Sequence, residues 1–410
     1  MALPLGSADW HRRCHSLTLN REMNRLKMMR RCLLALLLLS GWLLPSPRLL
    51  GAGYFMYVGT YTTQESQGIY VWRFDSASGK LTPLGLAAKS VDPSFLAAHP
   101  NGKFLYAVNE TSHFERMASN GSVSAFAIDP DTGKLRLLNQ QRSMGDGPCH
   151  LALDHQGKCV IVANYNNGSV ASYPVGNDGL LGQSVGFFQP KGAGKIPRRQ
   201  DGPHAHCVAI SPDDRFALVA DLGLDQVMLY RLNAAAAQME VNDPRFVKVA
   251  PGSGPRHLAF HPNGRHVYLI NEMASTIITF EYEPQAGTVR EVQTVSTLPA
   301  DYKGENDTAE IQVHPSGKFV YGSNRGHNSI AVFAVDPKTA TLKLVENVST
   351  QGKTPRGFSL DPTGQYLIAG NQQSNNMVVF RIDQTSGRLK PTGQVLEAFT
   401  PVAMVFVPAK

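Results

Sequence analysis

Residues 255–272 read "PRHLAFHPNGRHVYLINE". The segment opens on Pro255, runs through apolar Leu258 to Phe260, turns at Pro262-Asn263-Gly264, and returns through Val267 to Ile270 before ending on Asn271-Glu272. A helix does not carry Pro-Asn-Gly through its middle, whereas Asn-Gly between two apolar runs is a hairpin turn. The spacing of His257 and His261, which on a helix would suit a metal ion, is therefore an accident of reading a strand as a helix. On a hairpin the two ends of the segment, Pro255-Arg256-His257 and Asn271-Glu272, fold back to the same place, and His261 and His266 sit at the far turn.

The same hairpin recurs as "PSFLAAHPNGKFLYAVNE" (93–110), "PCHLALDHQGKCVIVANY" (148–165), "PHAHCVAISPDDRFALVADLG" (203–223), "TAEIQVHPSGKFVYGSNRG" (308–326) and "PRGFSLDPTGQYLIAGNQ" (355–372). Between the copies lies a second turn: "FDSASGKL" (74–81), "IDPDTGKL" (128–135), "VGNDGLL" (175–181), "YEPQAGTV" (282–289), "VDPKTATL" (335–342) and "IDQTSGRL" (382–389), with a degenerate copy near Asn233. Four strand-like runs per repeat of roughly 47–57 residues is the pattern of a β-propeller blade. Six inner hairpins are complete. The C-terminal "TPVAMVFVPAK" supplies a seventh inner strand, and the N-terminal "YFMYVGTYT", "GIYVWRFD" and "LTPLGLAAK" supply the outer three. The expectation is an all-β, seven-bladed β-propeller over 53–410, its ring closed by pairing the C-terminal strand with the N-terminal strands, which hides the open edges.

The chain has 410 residues and a formal charge of +7, but the excess is local. Residues 1–52 hold eight Lys/Arg against Asp9 and Glu22, leaving 31 basic and 30 acidic residues beyond. A nearly neutral body removes the main support for nucleic-acid binding. The segment 1–52 has a basic stretch from Arg25 to Arg31, an apolar run from Cys32 to Leu44, then Pro-Ser-Pro and small residues. That run is short against the roughly 20 residues a membrane span needs and suits a signal-peptide core. It reads as a signal-peptide-like leader, so the protein is expected to be exported, periplasmic or secreted, with an anchored leader as the alternative and no stable membrane insertion after cleavage. Of five cysteines, Cys14 and Cys32 fall in the leader. Cys149, Cys159 and Cys207 make neither a disulfide framework nor a C-x-x-C zinc motif.

Topology sorts the remaining residues by face. The openings of the inner strands and the ends of the second strands converge on one channel mouth, and the "HPNG" turns lie opposite. The residue after the opening Pro is Ser94, Cys149, His206, Arg256, Ala309, Arg356 or Val402; the next is Phe95, His150, Cys207, His257, Glu310, Gly357 or Ala403. The second strands end on Tyr61, Asn109-Glu110, Asn164-Tyr165, Asp221, Asn271-Glu272, Asn324-Arg325 and Asn371-Gln372. His204 lies just before this ring. Loops 111–120, 183–203 and 296–308 emerge on the same face, where functional loops usually gather on a rigid scaffold. The longest of them carries Arg198 and Arg199. His99, His261 and His314 are on the turn face and read as structural. The strand-end asparagines serve equally well as turn caps or ligand groups. So many charged groups in a channel are costly unless paired or ligand-bound. Histidine beside glutamate suits general-base chemistry near neutral pH, and several arginines suit a carboxylate, a phosphate or a developing oxyanion. The reading is metal-free hydrolysis or isomerisation of a small, anionic, oxygen-rich ester.

At these residues the chain resembles the seven-bladed lactonase family, which includes bacterial propeller-type 6-phosphogluconolactonases and fungal carboxymuconate lactonizing enzymes. The resemblance runs in order over "YVGTYT" (57–62), "GPCH" (147–150), "GPHAH" with "DLGLD" (202–206, 221–225), "GPRHLAFHP" with "INE" (254–272), "AEI" with "SNRG" (309–326) and "PRGFSLDPTG" (355–364). It implies a cofactor-free enzyme that opens a lactone ring, with His150, Arg199, Glu272 and Arg325 as site residues and His204, His206, Arg256, Glu310 and Arg356 close by. Together with the ring, the expected catalytic set is His150, His206, Glu272, Arg325 and Arg199. The expected substrate-binding set is His204, Arg256, Glu310, Arg356, Asn109 and Glu110, with no metal. Either His150 or His206 is the base, oriented by Glu272 or Glu310. The expected partner is a small anionic lactone, 6-phosphogluconolactone-like or gluconolactone-like, and the expected state is a monomer or weak homodimer. An exported propeller that only binds a ligand or protein through this mouth, a cycloisomerase-type lactonizing enzyme, and a calcium-dependent lactonase are the rival readings.

Overall fold

Each hairpin read from the sequence is the inner pair of a four-stranded antiparallel sheet. In a computed structural model, which describes residues 53–410 apart from Gln64 and Arg116, strand Pro255–Phe260 pairs with His266–Asn271, followed outward by Thr276–Glu283 and Thr288–Ser296. Five other sheets repeat that order on inner strands Leu96–Ala98, Pro148–Leu153, Ala205–Ile210, Asp307–Val313 and Pro355–Leu360. The last combines the C-terminal strand Pro401–Pro408 with Gly53–Thr60, Gly68–Asp75 and Lys80–Lys89. Its antiparallel register, from Tyr54 opposite Pro408 to Thr60 opposite Pro401, closes the circle as expected. Each inner strand packs on the inner strand of the next blade all the way round, giving seven blades. The leader at 1–52 lies outside the described residues. Where the second turn is degenerate, near Asn233, a 3-10 turn Ala234–Ala236 replaces it, capped by the Asn233 side chain. No helix among the described residues is long and apolar enough to cross a membrane.

The hydrophobic core is divided into seven apolar clusters, one between each adjacent pair of blades. Alternation explains this: a strand inside a propeller has a neighbour sheet on both faces, so side chains pointing either way are buried. Polar bonds lock the same interfaces. The hydroxyls of Tyr57, Tyr106, Tyr268 and Tyr321 each donate to a carbonyl in the outer turn of the next blade, at 2.9–3.0 Å.

The turn face is held similarly. His99, His261 and His314 each bring Nε2 to 2.8–3.1 Å of the carbonyl of Gly157, Gly317 or Gly364 in the following blade. These glycines have φ of 69°, 71° and 69°, and a Cβ at any of them would sit 2.1–2.8 Å from the imidazole. Left-handed backbone and close approach both require Gly there.

The mouth face carries a feature that periodicity alone does not reveal. Just after the opening residue, the register of the inner strand slips by one. Pro148 faces Asn164 and His150 faces Ala163, so Cys149 has no partner across the ladder. His206, Arg256, Arg356 and Val402 are left over in the same way, and Ala309 and Glu310 share the slip in the fifth inner strand. A bulge re-aims the extra side chain and ends regular pairing. It occurs in six of the seven blades, and it brings Cys149, His206 and Arg356 to the channel mouth and Arg256 to Glu272.

Candidate active site

Glu272 is the hub of the mouth. It ends its strand with its N–H on the Gly254 carbonyl (2.7 Å), which points the 6 % exposed carboxylate inward. Its Oε2 accepts from Arg256 Nε and lies against Arg325 Nη2, both at 2.8 Å, and its Oε1 accepts from Arg199 Nη2. Arg256 is the bulged residue of its own blade, Arg325 ends the second strand of the next, and Arg199 descends from the 189–204 loop. Each guanidinium is fixed by more than the ion pair. Arg256 Nη1 donates to the Ala309 carbonyl and Arg325 Nη2 to the Thr308 carbonyl, each at 2.8 Å. Burial favours the neutral acid, but Arg325, Arg256, Arg199 and Arg356 outweigh it and hold the Glu272 carboxyl at about 2. At neutral pH Glu272 is a permanent anion that positions cations. It is not a proton-transfer group.

Beside this hub lies a cavity of about 200 Å³, lined by Tyr61, Glu110, Cys149, Tyr165, His206, Glu272, Arg325 and Arg356. Arg356, a bulged residue, packs its guanidinium 5.3 Å above the Tyr61 ring, and the Tyr61 hydroxyl donates to Glu110 at 2.9 Å. Among the described residues Arg356 has no hydrogen-bonded or ion-paired partner, so its donors face the cavity unspent. Burial opposes its charge, but Tyr61, Glu110 and Glu272 together raise its pKa further and keep it cationic. The Nε of Arg325 is also buried without a partner.

His206 supplies the imidazole. Its Nδ1 is 3.8 Å from Cys149 Sγ and its Nε2 has no partner among the described residues. Burial, with Arg256 and His257 adding to it, holds its pKa well below 6.5, so it is neutral and able to accept a proton. Burial pushes the Cys149 thiol well up instead, and its sulfur lies 3.5–3.9 Å from the backbone carbonyls of His206, Ala205 and Ala163. That is an inert thiol rather than a nucleophile.

Beneath the cavity a second tier plugs the channel. His150 stacks on Phe95 with ring centres 3.9 Å apart, and His257 packs edge-on to His150 and His206 at 5.1 and 5.3 Å. Both His150 nitrogens are engaged, Nδ1 by Val208 N–H at 3.3 Å and Nε2 by Cys207 Sγ at 3.5 Å. His150 is therefore not placed to act as the base. Its side chain is spent inside the plug. Glu310 lies in the same tier, 3.3 Å from His257 Nδ1, and burial pushes it up to about 7. It orients His257, and neither His150 nor His206.

Two further expectations are corrected. Asn109 does not present its amide to the mouth. It donates to Ser90 Oγ and the Val91 carbonyl and accepts from the Ser122 and Ser124 hydroxyls, all within its own blade. His204 does not line the cavity either: it stacks on Tyr165 at 4.7 Å and bonds the Tyr165 carbonyl at 2.7 Å, so it supports a lining residue. The structure brings together His206, Glu110, Glu272, Arg325 and Arg356, with Arg256 and Arg199 holding Glu272. Tyr61, Cys149 and Tyr165 line the cavity without having been singled out. Tyr165 follows the strand-end Asn164, Tyr61 follows the strand-end Thr60, and Cys149 is the bulged residue after Pro148.

The family model for the seven-bladed β-propeller lactonases matches residues 55–406. A 6-phosphogluconolactonase of Bacillus subtilis (strain 168) is 38% identical over 308 residues, spanning 75% of this chain and 85% of that protein. A 6-phosphogluconolactonase of Formosa agariphila is 35% identical over 311 residues, spanning 75% and 86%. The solved structure of the periplasmic gluconolactonase of Pseudomonas aeruginosa superposes with a TM-score of 0.82 at 36% identity, covering 88% of this chain and 100% of that one. With a closed ring of seven blades and a match that runs nearly from the first described strand to the last, the chain belongs to the lactonase family of seven-bladed β-propellers.

Proposed function

We propose that the protein hydrolyses an aldonolactone, opening a sugar-type ring in the cavity beside Glu272. The observation that carries this reading is the pairing, in one small cavity, of an unspent guanidinium on Arg356 with a neutral imidazole on His206. Ester hydrolysis needs both: a group to take a proton from water and a cation where the carbonyl oxygen becomes negative. Water attacks the lactone carbonyl while His206 takes its proton. The carbonyl electron pair moves onto oxygen, facing Arg356 and Arg325. The tetrahedral intermediate collapses, the ring C–O bond breaks, and the leaving oxygen takes the proton back from His206. The product is an open-chain hydroxy acid whose carboxylate stays opposite the arginines until release. Glu272 touches no reacting atom. It keeps Arg199, Arg256 and Arg325 in place.

Four guanidiniums against Glu272 and Glu110 leave the mouth positive, which also draws in anionic substrates. The relatives named 6-phosphogluconolactonase and gluconolactonase bracket the substrate class. The leader-like segment and the periplasmic relative support export, and outside the cytoplasm an unphosphorylated aldonolactone is the more available substrate. The test is pH-stat hydrolysis of glucono-1,5-lactone and its 6-phosphate by the purified protein. Turnover of either above the spontaneous rate supports the reading, and turnover of neither overturns it.

A further inference from the structure

The catalytic cavity is small. At about 200 Å³ it lies below the roughly 300–1,000 Å³ typical of ligand pockets and has room for little more than one ring and its water. Arg325, however, also lines a neighbouring groove of about 710 Å³, formed where the turn 273–275 meets the loop 298–307. The groove and the cavity therefore lie side by side, with the Arg325 side chain as their shared wall. The groove has apolar surface from Met273 and Leu298 and two carboxylates, Glu305 and Asp307. Asp307 stands at the join, 3.9 Å from Arg199. Arg325, the one Lys or Arg among the described residues lining the groove, is already bonded to Glu272 and the Thr308 carbonyl.

Such a groove repels phosphate and other anions, while its carboxylates accept from hydroxyls and its apolar residues cover the flat face of a sugar ring. From this adjacency of cavity and groove we infer that the site takes an aldonolactone bearing a neutral glycosyl substituent, the lactone in the cavity and the second sugar in the groove. This rests on the lactonase reading above and names its substrate class more narrowly. The bond broken is the same ring ester, and the glycosidic bond is untouched.

The probe is cellobiono-1,5-lactone, compared with glucono-1,5-lactone and its 6-phosphate. The exposed Ala274 has ordinary backbone and lines the groove away from the catalytic cavity, so Ala274→Trp fills the groove. The expected result is a kcat/KM at least tenfold higher for the disaccharide lactone than for gluconolactone. Ala274→Trp should erase that advantage through KM and leave gluconolactone turnover within twofold of wild type. Equal kcat/KM for the two lactones, or an equal loss on both in Ala274→Trp, would overturn the inference. If no lactone is hydrolysed, the lactonase reading falls by itself and calorimetric titration with cellobionate and gluconate decides the groove. Cellobionate binding at least tenfold tighter, lost in Ala274→Trp, sustains it; equal binding or none refutes it.

Discussion

On the turn face of the ring, His99, His261 and His314 each spend Nε2 on the next blade's glycine carbonyl and Nδ1 on a backbone N–H of their own turn. On the mouth face, His206 leaves Nε2 without a partner among the described residues, beside an equally unspent Arg356. The two faces are built from the same hairpin and use the same residue type. They differ in whether the hydrogen-bonding capacity is consumed by the fold or left over. Leftover capacity, concentrated by a bulge in six of the seven blades, is what distinguishes a site from a scaffold here, and the comparison can be broken at several points.

The largest effect is expected at Glu272. Glu272→Gln leaves Arg256 and Arg325 buried without their shared anion, and removing one partner of a buried ion pair costs about 3–5 kcal/mol. Urea denaturation should show that loss together with abolished lactone turnover. Arg356→Met should do the opposite. It removes an oxyanion donor, worth about 10²–10³ in kcat, but no protein-internal ion pair, so the denaturation midpoint should hardly move. His261→Ala should cost about 1–3 kcal/mol of stability by orphaning the carbonyl of the buried Gly317, with kcat/KM unchanged. A loss of activity there at full stability would erase the distinction between the faces. The smallest effect concerns pH. A base is active when neutral, so kcat/KM should be flat at and above 6.5 and fall only at lower pH, because burial with Arg256 and His257 holds His206 well below 6.5. An acid limb centred at or above 6.5 would take the base role away from His206. Glu272, held at about 2, contributes nothing to that limb.

The architecture was legible because a propeller repeats its instructions. Six copies of one hairpin, five of them opened by Pro, a second turn between them and one strand left over at the C-terminus suffice to count blades and predict the closure. The ring of chemistry was legible as a set of aligned positions, and Glu272, Arg256, Arg325 and Arg356 emerge from it directly. The orientation of neighbours in that ring was not. The bulge after each opening residue separates Cys149 from His150 and Arg256 from His257 into two tiers, so that the adjacent histidine drops into the plug while the bulged residue faces the mouth. Nothing in the identity of His150 discloses that Val208 and Cys207 occupy both its nitrogens, since those partners come from the next blade. Asn109 was ambiguous for a related reason. An amide at a strand end serves a ligand or its own blade equally well, and only the Ser122 and Ser124 hydroxyls across the sheet decide it.

The claim on which everything else depends is that His206 at the mouth takes the proton from water. The direct measurement is pH-stat hydrolysis of glucono-1,5-lactone at neutral pH, corrected for the spontaneous reaction, for the wild-type protein and for His206→Ala. A drop in kcat of about 10²–10⁴, the worth of a positioned general base, with an unchanged denaturation midpoint is the predicted result; wild-type kcat in His206→Ala would contradict it.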